Sequence, residues 1–491
     1  MKLRIIALTL AVFILTMAAA GCDAAGTSPV SADADGIVTI VSIFPGEPPA
    51  RMEAVLGAIN EKMSADIGVN LALTWQPWGE YYNKIKLDVA AGEPIDFIWM
   101  GSADLSELHN SRLIAPIDSL MAQHGSNIYA NIDEMFFPSM MIGGQLLGIP
   151  STANAPITMT GHSALYREDL RLKHDLPIPE CLETIEAYLQ GIADNEPDLS
   201  PLMSSSFGWS MLPLHGDEGF LGGTGGSTAV RVNHDMSVDV MPIHEAQAWL
   251  GTGAQMREWY LKGFVPSDIL NMTPGPNFMN GMGAMMNGSA MSAVERQAEI
   301  AANVPGALLG GTKLHGDRLK IMGGNGGNAL YLSSTSRNPE AVVKFWDWVW
   351  TSQENYDLYC YGILGEDYEL TENGRITVLS DYGNFPNWMF NNMNYLRFGV
   401  DTTDEFIETI KAWDDGAVIS PLFGFSFDPS NVSTELSMFG AVWAAYSASF
   451  DSGAGDRDVI LPAFIAEATA AGQGAIVEEA RRQVEEFLAN K

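Results

Sequence analysis

The pattern that most constrains the fold is an alternation of strand and helix signals near the amino terminus. Hydrophobic spacing predicts strands at residues 37–44, 69–75 and 95–100, with helices at 48–64 and 79–91 between them. This β-α-β-α-β order requires right-handed crossovers and a mostly parallel sheet covered by helices on both faces. Ligands of such sheets bind beyond the carboxyl ends of the strands. The loops that follow the first and third strands are therefore the first places to expect a site.

The first 22 residues predict export and a lipid anchor. A positive n-region with Lys2 and Arg4 precedes an apolar run at 5–17, and small residues lead to Cys22. The run is too short to cross a hydrocarbon core of about 30 Å, which argues against an integral membrane protein. The pattern resembles a lipobox, with Ala19 where leucine is usual. We expect cleavage before Cys22 and acylation of that residue at the outer face of the cytoplasmic membrane, with an ordinary secretory signal as the alternative.

Composition bounds the class of the mature protein. Residues 22–36 are small and polar and predict a flexible tether. The remaining length suits two or three lobes rather than one core. A formal charge of -34 disfavours nucleic acid and anionic lipid as partners. Two buried thiols are favoured for Cys181 and Cys360, with a disulfide between them left open.

Beyond residue 100 the signals are shorter and more mixed. We expect residues 200–234 to form loops around a buried Trp209 and a buried Phe220. Hydrophobic spacing predicts a short strand ending at Pro150, helices at 165–172, 182–192 and 246–262, a strand at 280–286 leading into a helix through 301, a largely buried helix at 339–350, and two helices within 459–488.

Several segments resemble blocks of the family 1 extracellular solute-binding proteins of ABC importers. They are 86–99 (KLDVAAGEPIDFIW), 113–120 (LIAPIDSL), 144–150 (GQLLGIP), 166–170 (YREDL) and 336–341 (SRNPEA). Within the third block, Gln145 and Leu147 replace the usual lysine and tyrosine. These blocks occur in the family's order along the chain.

The carboxyl third is similar to one subgroup of that family, which is related to lipoprotein LplA and ends in a domain of once unknown function. The matching segments are 361–370 (YGILGEDYEL), 424–428 (GFSFD) and 480–484 (ARRQV). Leu364 and Glu366 depart from the subgroup, which usually has an acidic residue and a lysine there.

The resemblance implies an α/β, two-lobed periplasmic-binding-protein-like fold of type II, with mostly parallel sheets flanked by helices and a helical C-terminal extension. It implies capture of a carbohydrate, without a cofactor, and delivery to an ABC transporter permease by a monomer anchored to the membrane. The expected divisions are a signal at 1–21, a tether at 22–36, lobe 1 at 37–152, lobe 2 at 153–326, a crossover and return to lobe 1 at 327–390, and the subgroup domain at 391–491.

Sugar sites combine flat aromatic faces with planar polar groups that meet hydroxyls. The aromatic candidates are Trp99, Trp209 and Trp388, each with core packing as the rival interpretation. The cluster of Trp75, Trp78, Tyr81 and Tyr82 is assigned to core packing.

Polar candidates follow strands or lie in glycine-rich turns. Asn287 and Ser289 are expected to open a helix, where unpaired backbone N–H groups face a ligand. Asn325 lies among glycines that allow close backbone approach, with a plain turn as the alternative. The other polar candidates are Ser102, Glu47 and Glu295, with the two glutamates open to interpretation as solvated surface charges.

Enzyme motifs are weak, and we expect neither catalytic nor metal-binding residues. The glycine-rich segment 222–228 lacks the lysine of a phosphate loop. His215, Asp217 and Glu218 are close in sequence without helical metal-ligand spacing. The alternatives are a secreted glycan-acting hydrolase, which needs two carboxylates across a cleft, and a surface sensory or adhesive sugar-binding protein.

Overall fold

The structure, a computed structural model, describes residues 36–153, 163–314, 320–322, 327–384 and 389–491. Its first part, up to residue 153, contains the predicted β-α-β-α-β order, which is confirmed. The elements are strands β1 (Val38–Pro45), β2 (Val69–Gln76), β3 (Phe97–Gly101), β4 (Met141–Ile142), β5 (Gln145–Leu146), β6 (Gly148–Pro150) and β7 (Thr152–Ala153), and helices α1 (Met52–Ile67), α2 (Trp78–Ala90), α3 (Leu105–Asn110), α4 (Asp118–His124) and α5 (Ser126–Asn131).

The middle part, from residue 163 to residue 322, contributes most of the second lobe. Its elements are strands β8 (Ser163–Arg167), β9 (Ser200–Leu202), β10 (Glu218–Phe220), β11 (Thr228–Val232), β12 (Val238–Pro242), β13 (Gly283–Asn287), β14 (Leu309–Lys313) and β15 (Ile321–Met322), and helices α6 (Glu168–Lys173), α7 (Leu182–Asn195), α8 (Phe207–His215), α9 (Gln247–Leu261), α10 (Pro274–Met279), α11 (Ser292–Glu295) and α12 (Gln297–Asn303).

The last part returns to the first lobe and then ends in helices. Its elements are strands β16 (Asn328–Leu332), β17 (Tyr368–Leu370), β18 (Ile376–Val378), β19 (Asn391–Asn392) and β20 (Val418–Ile419), and helices α13 (Pro339–Val349), α14 (Gln353–Tyr361), α15 (Asp404–Lys411), α16 (Ser433–Asp451), α17 (Arg457–Ala470) and α18 (Gln473–Ala489). The buried helix predicted at 339–350 is confirmed by α13, where eight of eleven residues are buried.

The first lobe contains a five-stranded sheet in the order β2-β1-β3-β16-β6. Strands β1, β2 and β3 are parallel, whereas β16 runs antiparallel to both of its neighbours. The sheet is therefore mixed, and the mostly parallel arrangement expected holds only for its amino-terminal half. The antiparallel direction of β16 follows from where the chain returns to the first lobe. Asn328, the first residue of β16, pairs with Gly101, the last residue of β3. The returning chain therefore enters the sheet at the carboxyl end of the parallel strands.

The second lobe contains a four-stranded sheet in the order β14-β8-β13-β9. Strand β8 lies antiparallel to both β13 and β14, and all five of its residues are buried. The helix predicted at 165–172 is therefore wrong in its first half, because α6 begins only at Glu168. A short apolar run that is buried on both faces has no periodicity by which a strand can be distinguished from a helix.

A third core joins the small sheet β10-β11-β12 to α9 and the C-terminal helices. At its centre Trp249 of α9 stacks on Phe450 of α16, with ring centroids 4.0 Å apart. The loops predicted at 200–234 are wrong, since this range contains β9, α8, β10 and β11. The C-terminal helices thus share a core with residues of the second lobe, and the domain boundaries predicted from the sequence stay predictions.

The last two helices, α17 and α18, confirm the pair predicted within 459–488 and meet at 71°. Across the described ranges, no single helix is long and apolar enough to cross a membrane. Taken together, α17 and α18 have a sufficient length and apolar composition, but the pair is bent. Cys181 and Cys360 are both free thiols. Cys360 is buried as expected, whereas the burial expected for Cys181 is wrong because that residue is partly exposed.

Candidate functional site

A cavity of about 400 Å³ lies where the first lobe, the small sheet and the C-terminal segment meet. Ser102 and Ala103 reach it directly after β3, at the sheet edge where the β-α-β pattern predicted a site. The small sheet contributes Phe220 and Val230, and Leu221 lies directly after β10. The remaining lining residues are Asp217, Gly219, Gly222, Val232, Ile321, Gly327, Ser420, Leu422, Phe425, Ser426 and Phe427.

One aromatic face adjoins this cavity. Trp209 on α8 stacks on Phe220, with ring centroids 4.0 Å apart and planes inclined by 22°. Trp209 is 40% exposed and Phe220 is partly exposed, so the burial expected for both residues is wrong. Trp443 of α16 packs edge-on against Phe220, with ring centroids 5.7 Å apart. An exposed indole on a rigid aromatic support provides the flat apolar surface on which a pyranose ring packs.

The second aromatic candidate, Trp99, lies in the core of the first lobe. It is only 3% exposed, and its backbone carbonyl accepts a hydrogen bond of 2.7 Å from the Tyr81 hydroxyl. Trp78 packs edge-on against its ring at 5.9 Å. The prediction that Trp99 faces the cleft is therefore wrong for this structure. The reason is that helices cover both faces of the parallel strands, which buries successive residues of β3.

Two aromatic residues that the sequence interpretation assigned to the core are exposed instead. Trp78 is 49% exposed and Tyr82 is 39% exposed, whereas Tyr81 is fully buried as expected. Residues 78 and 82 are four apart on α2 and so share one face of the helix, while Tyr81 and Ile85 share the buried face. The spacing of four residues between Trp78 and Tyr82 could have predicted from the sequence that these two side chains share a face different from that of Tyr81.

Ser102 has a buried side chain at the mouth of the cavity. Its hydroxyl donates to the Gly327 carbonyl at 3.4 Å, and its backbone N–H donates to the same oxygen at 3.2 Å. Ser102 therefore fixes the end of β3 against the chain that returns from the second lobe.

The polar candidates Asn287 and Ser289 lie at the end of β13 but not along the cavity. The Asn287 side-chain oxygen accepts from Ser204 at 2.6 Å, and the Ser289 hydroxyl accepts from the Met291 N–H at 3.2 Å. The helix expected after them, through residue 301, starts later and is divided in two, because α11 begins at Ser292 and α12 at Gln297.

The two candidate glutamates lie in different surroundings. Glu47 is exposed in the loop after β1, next to Gly46, where an added Cβ would lie 3.2 Å from the ring nitrogen of Trp78. Glu295 lines a separate cavity of about 320 Å³ between α11–α12 and Tyr361 and Arg397. Burial raises the pKa of Glu295 to about 7, an effect that the charge of Arg296 opposes. Glu295 is only partly exposed, and a role for Glu295 in ligand binding stays a prediction.

Three predicted residues fall outside the described ranges. They are the lipidation candidate Cys22 and the ligand candidates Asn325 and Trp388.

Separate cores in the two lobes, with a cavity where the lobes meet, are the arrangement of the two-lobed periplasmic-binding-protein-like fold. Comparison with known proteins agrees with this fold. Residues 421–489 match the family model "Domain of unknown function (DUF3502)". Over 483 residues the chain is 21% identical to a carbohydrate ABC transporter substrate-binding protein of Streptococcus pneumoniae serotype 4, covering 95% of this chain and 94% of that protein.

Solved structures show the same fold. The N-glycan transport solute binding protein (NgtS) from Streptococcus pneumoniae superposes with a TM-score of 0.75 at 19% identity, covering 92% of this chain and 99% of that one. An alginate-binding protein crystallised without calcium gives 0.61 at 14% identity, covering 93% and 100%. These matches show the two-lobed fold and agree with the predicted resemblance to family 1 extracellular solute-binding proteins.

Proposed function

We propose that the mature chain is a lipid-anchored extracellular solute-binding protein that captures an oligosaccharide and delivers it to an ABC transporter permease. The observation that carries this proposal is the exposed Trp209 ring, stacked on Phe220 beside a cavity between the lobes. A flat aromatic surface next to a partly enclosed space is the usual arrangement for binding a neutral sugar ring. We expect charge to contribute little to binding, because the inferred ligand is neutral and the chain already carries a net charge of -34.

The relatives support the ligand class and the transport role. NgtS has been crystallised with Man1GlcNAc and with Man5GlcNAc, and these structures superpose on this chain with TM-scores of 0.74 and 0.73. The carbohydrate transporter protein of Streptococcus pneumoniae aligns along nearly the whole chain. Attachment through acylated Cys22 would keep the monomeric receptor at the outer face of the membrane, within reach of its permease.

The test is a thermal-shift screen of the mature chain against free oligosaccharides, followed by analysis of the recovered sugars. A glycan at 100 times its dissociation constant should stabilise the fold by about 2.7 kcal/mol. A binding protein returns that glycan intact, whereas the hydrolase alternative shortens it. Failure of every glycan to stabilise the protein would contradict carbohydrate capture.

A further inference from the structure

The cavity of about 320 Å³ that Glu295 lines, called here the Glu295 cavity, has walls from both lobes. Helices α11 and α12 of the second lobe form one side. Tyr361 and Ile376, which belong to the core of the first lobe, form part of the other side. None of the described residues that line this cavity adjoins a gap in the described ranges. The Glu295 cavity is thus a defined space between the lobes, away from the proposed sugar cavity.

The carboxylate of Glu295 is not paired with a cation. Within the described ranges, its oxygen atoms take part in no hydrogen bond or ion pair. The adjacent guanidinium of Arg296 is engaged by Glu299, through N–O distances of 2.8 and 3.1 Å. The guanidinium of Arg397, which also lines the cavity, donates to Asp357 at 2.8 Å. Both guanidinium groups near the cavity are therefore already bound to other carboxylates.

The charges that remain on the lining favour a positive ligand. Asp401, which is exposed, contributes a second carboxylate to the cavity. Burial raises the pKa of Glu295 to about 7, because little in its surroundings offsets the loss of hydration. A cation that enters the cavity would stabilise the ionised form of this carboxyl group.

The surfaces beside the carboxylate indicate which kind of cation fits. Val294, Ala298 and Ala301 on one side and Ile376 on the other provide small apolar surfaces. Calcium takes six to eight oxygen ligands, and no group of three or more potential metal ligands comes together in the part of the chain that the structure describes. A carboxylate beside apolar walls suits an organic cation, whose N–H groups bond to the oxygens while its carbon chain packs on the walls.

We propose that the Glu295 cavity is a second binding site, which takes a small organic ammonium ion. The ammonium group donates a charge-assisted hydrogen bond to the Glu295 carboxylate, and the alkyl chain lies against Ala298 and Ala301. The site shares no described lining residue with the proposed sugar cavity. Ammonium binding is therefore independent of carbohydrate capture, and either can fail without the other.

The probe is n-butylammonium chloride, titrated into the mature chain at pH 8 and followed by calorimetry. The uncharged probe of equal length is n-butanol, and sodium chloride at the same ionic strength controls for salt. A hydrogen bond to a charged group makes n-butylammonium bind about tenfold more tightly than n-butanol. Equal affinity for the two probes would overturn the ammonium site, and so would displacement of n-butylammonium by equimolar calcium chloride.

Two variants test the carboxylate and the cavity separately. Glu295→Gln should lower the affinity for n-butylammonium about tenfold, to that of n-butanol. Ala298→Leu keeps the carboxylate but fills the space beside it, and it should also lower the affinity. The matched control is Glu61→Gln, which removes one negative charge from an exposed position of α1 outside the cavity and should bind as the wild type does.

Melting curves of the same proteins report whether each variant folds. Wild-type affinity in either folded variant of the cavity would show that the amine binds to the acidic surface at large, and it would overturn the proposed site. If Glu295→Gln does not fold, the result for Ala298→Leu decides alone.

Discussion

Phe220 supports the Trp209 ring at a centroid distance of 4.0 Å, and the two residues come from different elements, strand β10 and helix α8. The indole is held by its inner face and remains 40% exposed. A tryptophan held in this way loses little side-chain entropy when a ligand packs on it. The pair therefore has the properties of a preorganised stacking surface.

Removing that surface should reduce binding without unfolding the protein. Trp209→Ala is expected to weaken glycan binding by about 1 to 3 kcal/mol through lost burial and stacking. Calorimetry with a glycan identified in the screen gives the affinity, and a melting curve reports the fold. Undiminished affinity in folded Trp209→Ala protein would remove this residue from the site.

Trp99→Ala should give the opposite pattern, because Trp99 is packed in the first core. We expect a loss of about 3 to 5 kcal/mol in the free energy of unfolding. Urea unfolding at one pH measures it directly. A variant that stays as stable as the wild type but loses glycan affinity would return Trp99 to the binding surface.

The carboxyl group of Asp451 should make stability depend on pH. It lies at the end of α16 against Gly208 in the first turn of α8, and burial raises the pKa of Asp451 to about 7 from an ordinary value near 4. Between these values the unfolded chain releases the proton while the folded chain retains it. The free energy of unfolding therefore falls as pH rises from about 4 to 7, and it stays low above that window.

Asp451→Asn should remove this penalty. The variant is expected to be more stable than the wild type by roughly 1 to 3 kcal/mol at pH 8, with a smaller difference at pH 5. Urea unfolding at both pH values tests this, with Asp458→Asn as the exposed control on the next helix. A stability difference that does not change between pH 5 and pH 8 would contradict the buried carboxyl.

The anchor prediction concerns Cys22. Cys22→Ala should move the protein from the membrane fraction to the soluble extracellular fraction, because the variant lacks the residue that carries the acyl chains. Stable attachment to a membrane requires the burial of more than one acyl chain. Fractionation of cells followed by immunodetection measures the distribution. Retention of the variant on membranes after a salt wash would count against the lipoprotein signal.

The sequence predicted the first lobe well because its strands and helices are long and strictly alternating, as in β1, α1 and β2. It failed at β8, where an apolar run is buried on both faces and has no distinguishing period. The family blocks predicted two lobes and a C-terminal domain, but they could not tell Trp99 from Trp78. Which of two neighbouring tryptophans is buried depends on how α2 packs on β3, and that is a tertiary property.

The polar part of the site was harder still to predict. Asn287 and Ser289 have suitable chemistry, yet hydrogen bonds to Ser204 and Met291 already engage their oxygen atoms. The residues that line the cavity from the C-terminal side, such as Leu422 and Phe425, are apolar and distant in sequence. No local motif distinguishes them from ordinary core residues.

The central claim is that an oligosaccharide binds between the two lobes and draws them together. The crossings expected to bend are 151–154 and 327–333, where β7 pairs with β19 and β16 enters the first sheet. Small-angle X-ray scattering of the mature chain, with and without a saturating glycan from the screen, measures this directly. We predict a smaller radius of gyration in the bound state, and an unchanged radius at saturation would contradict closure over the ligand.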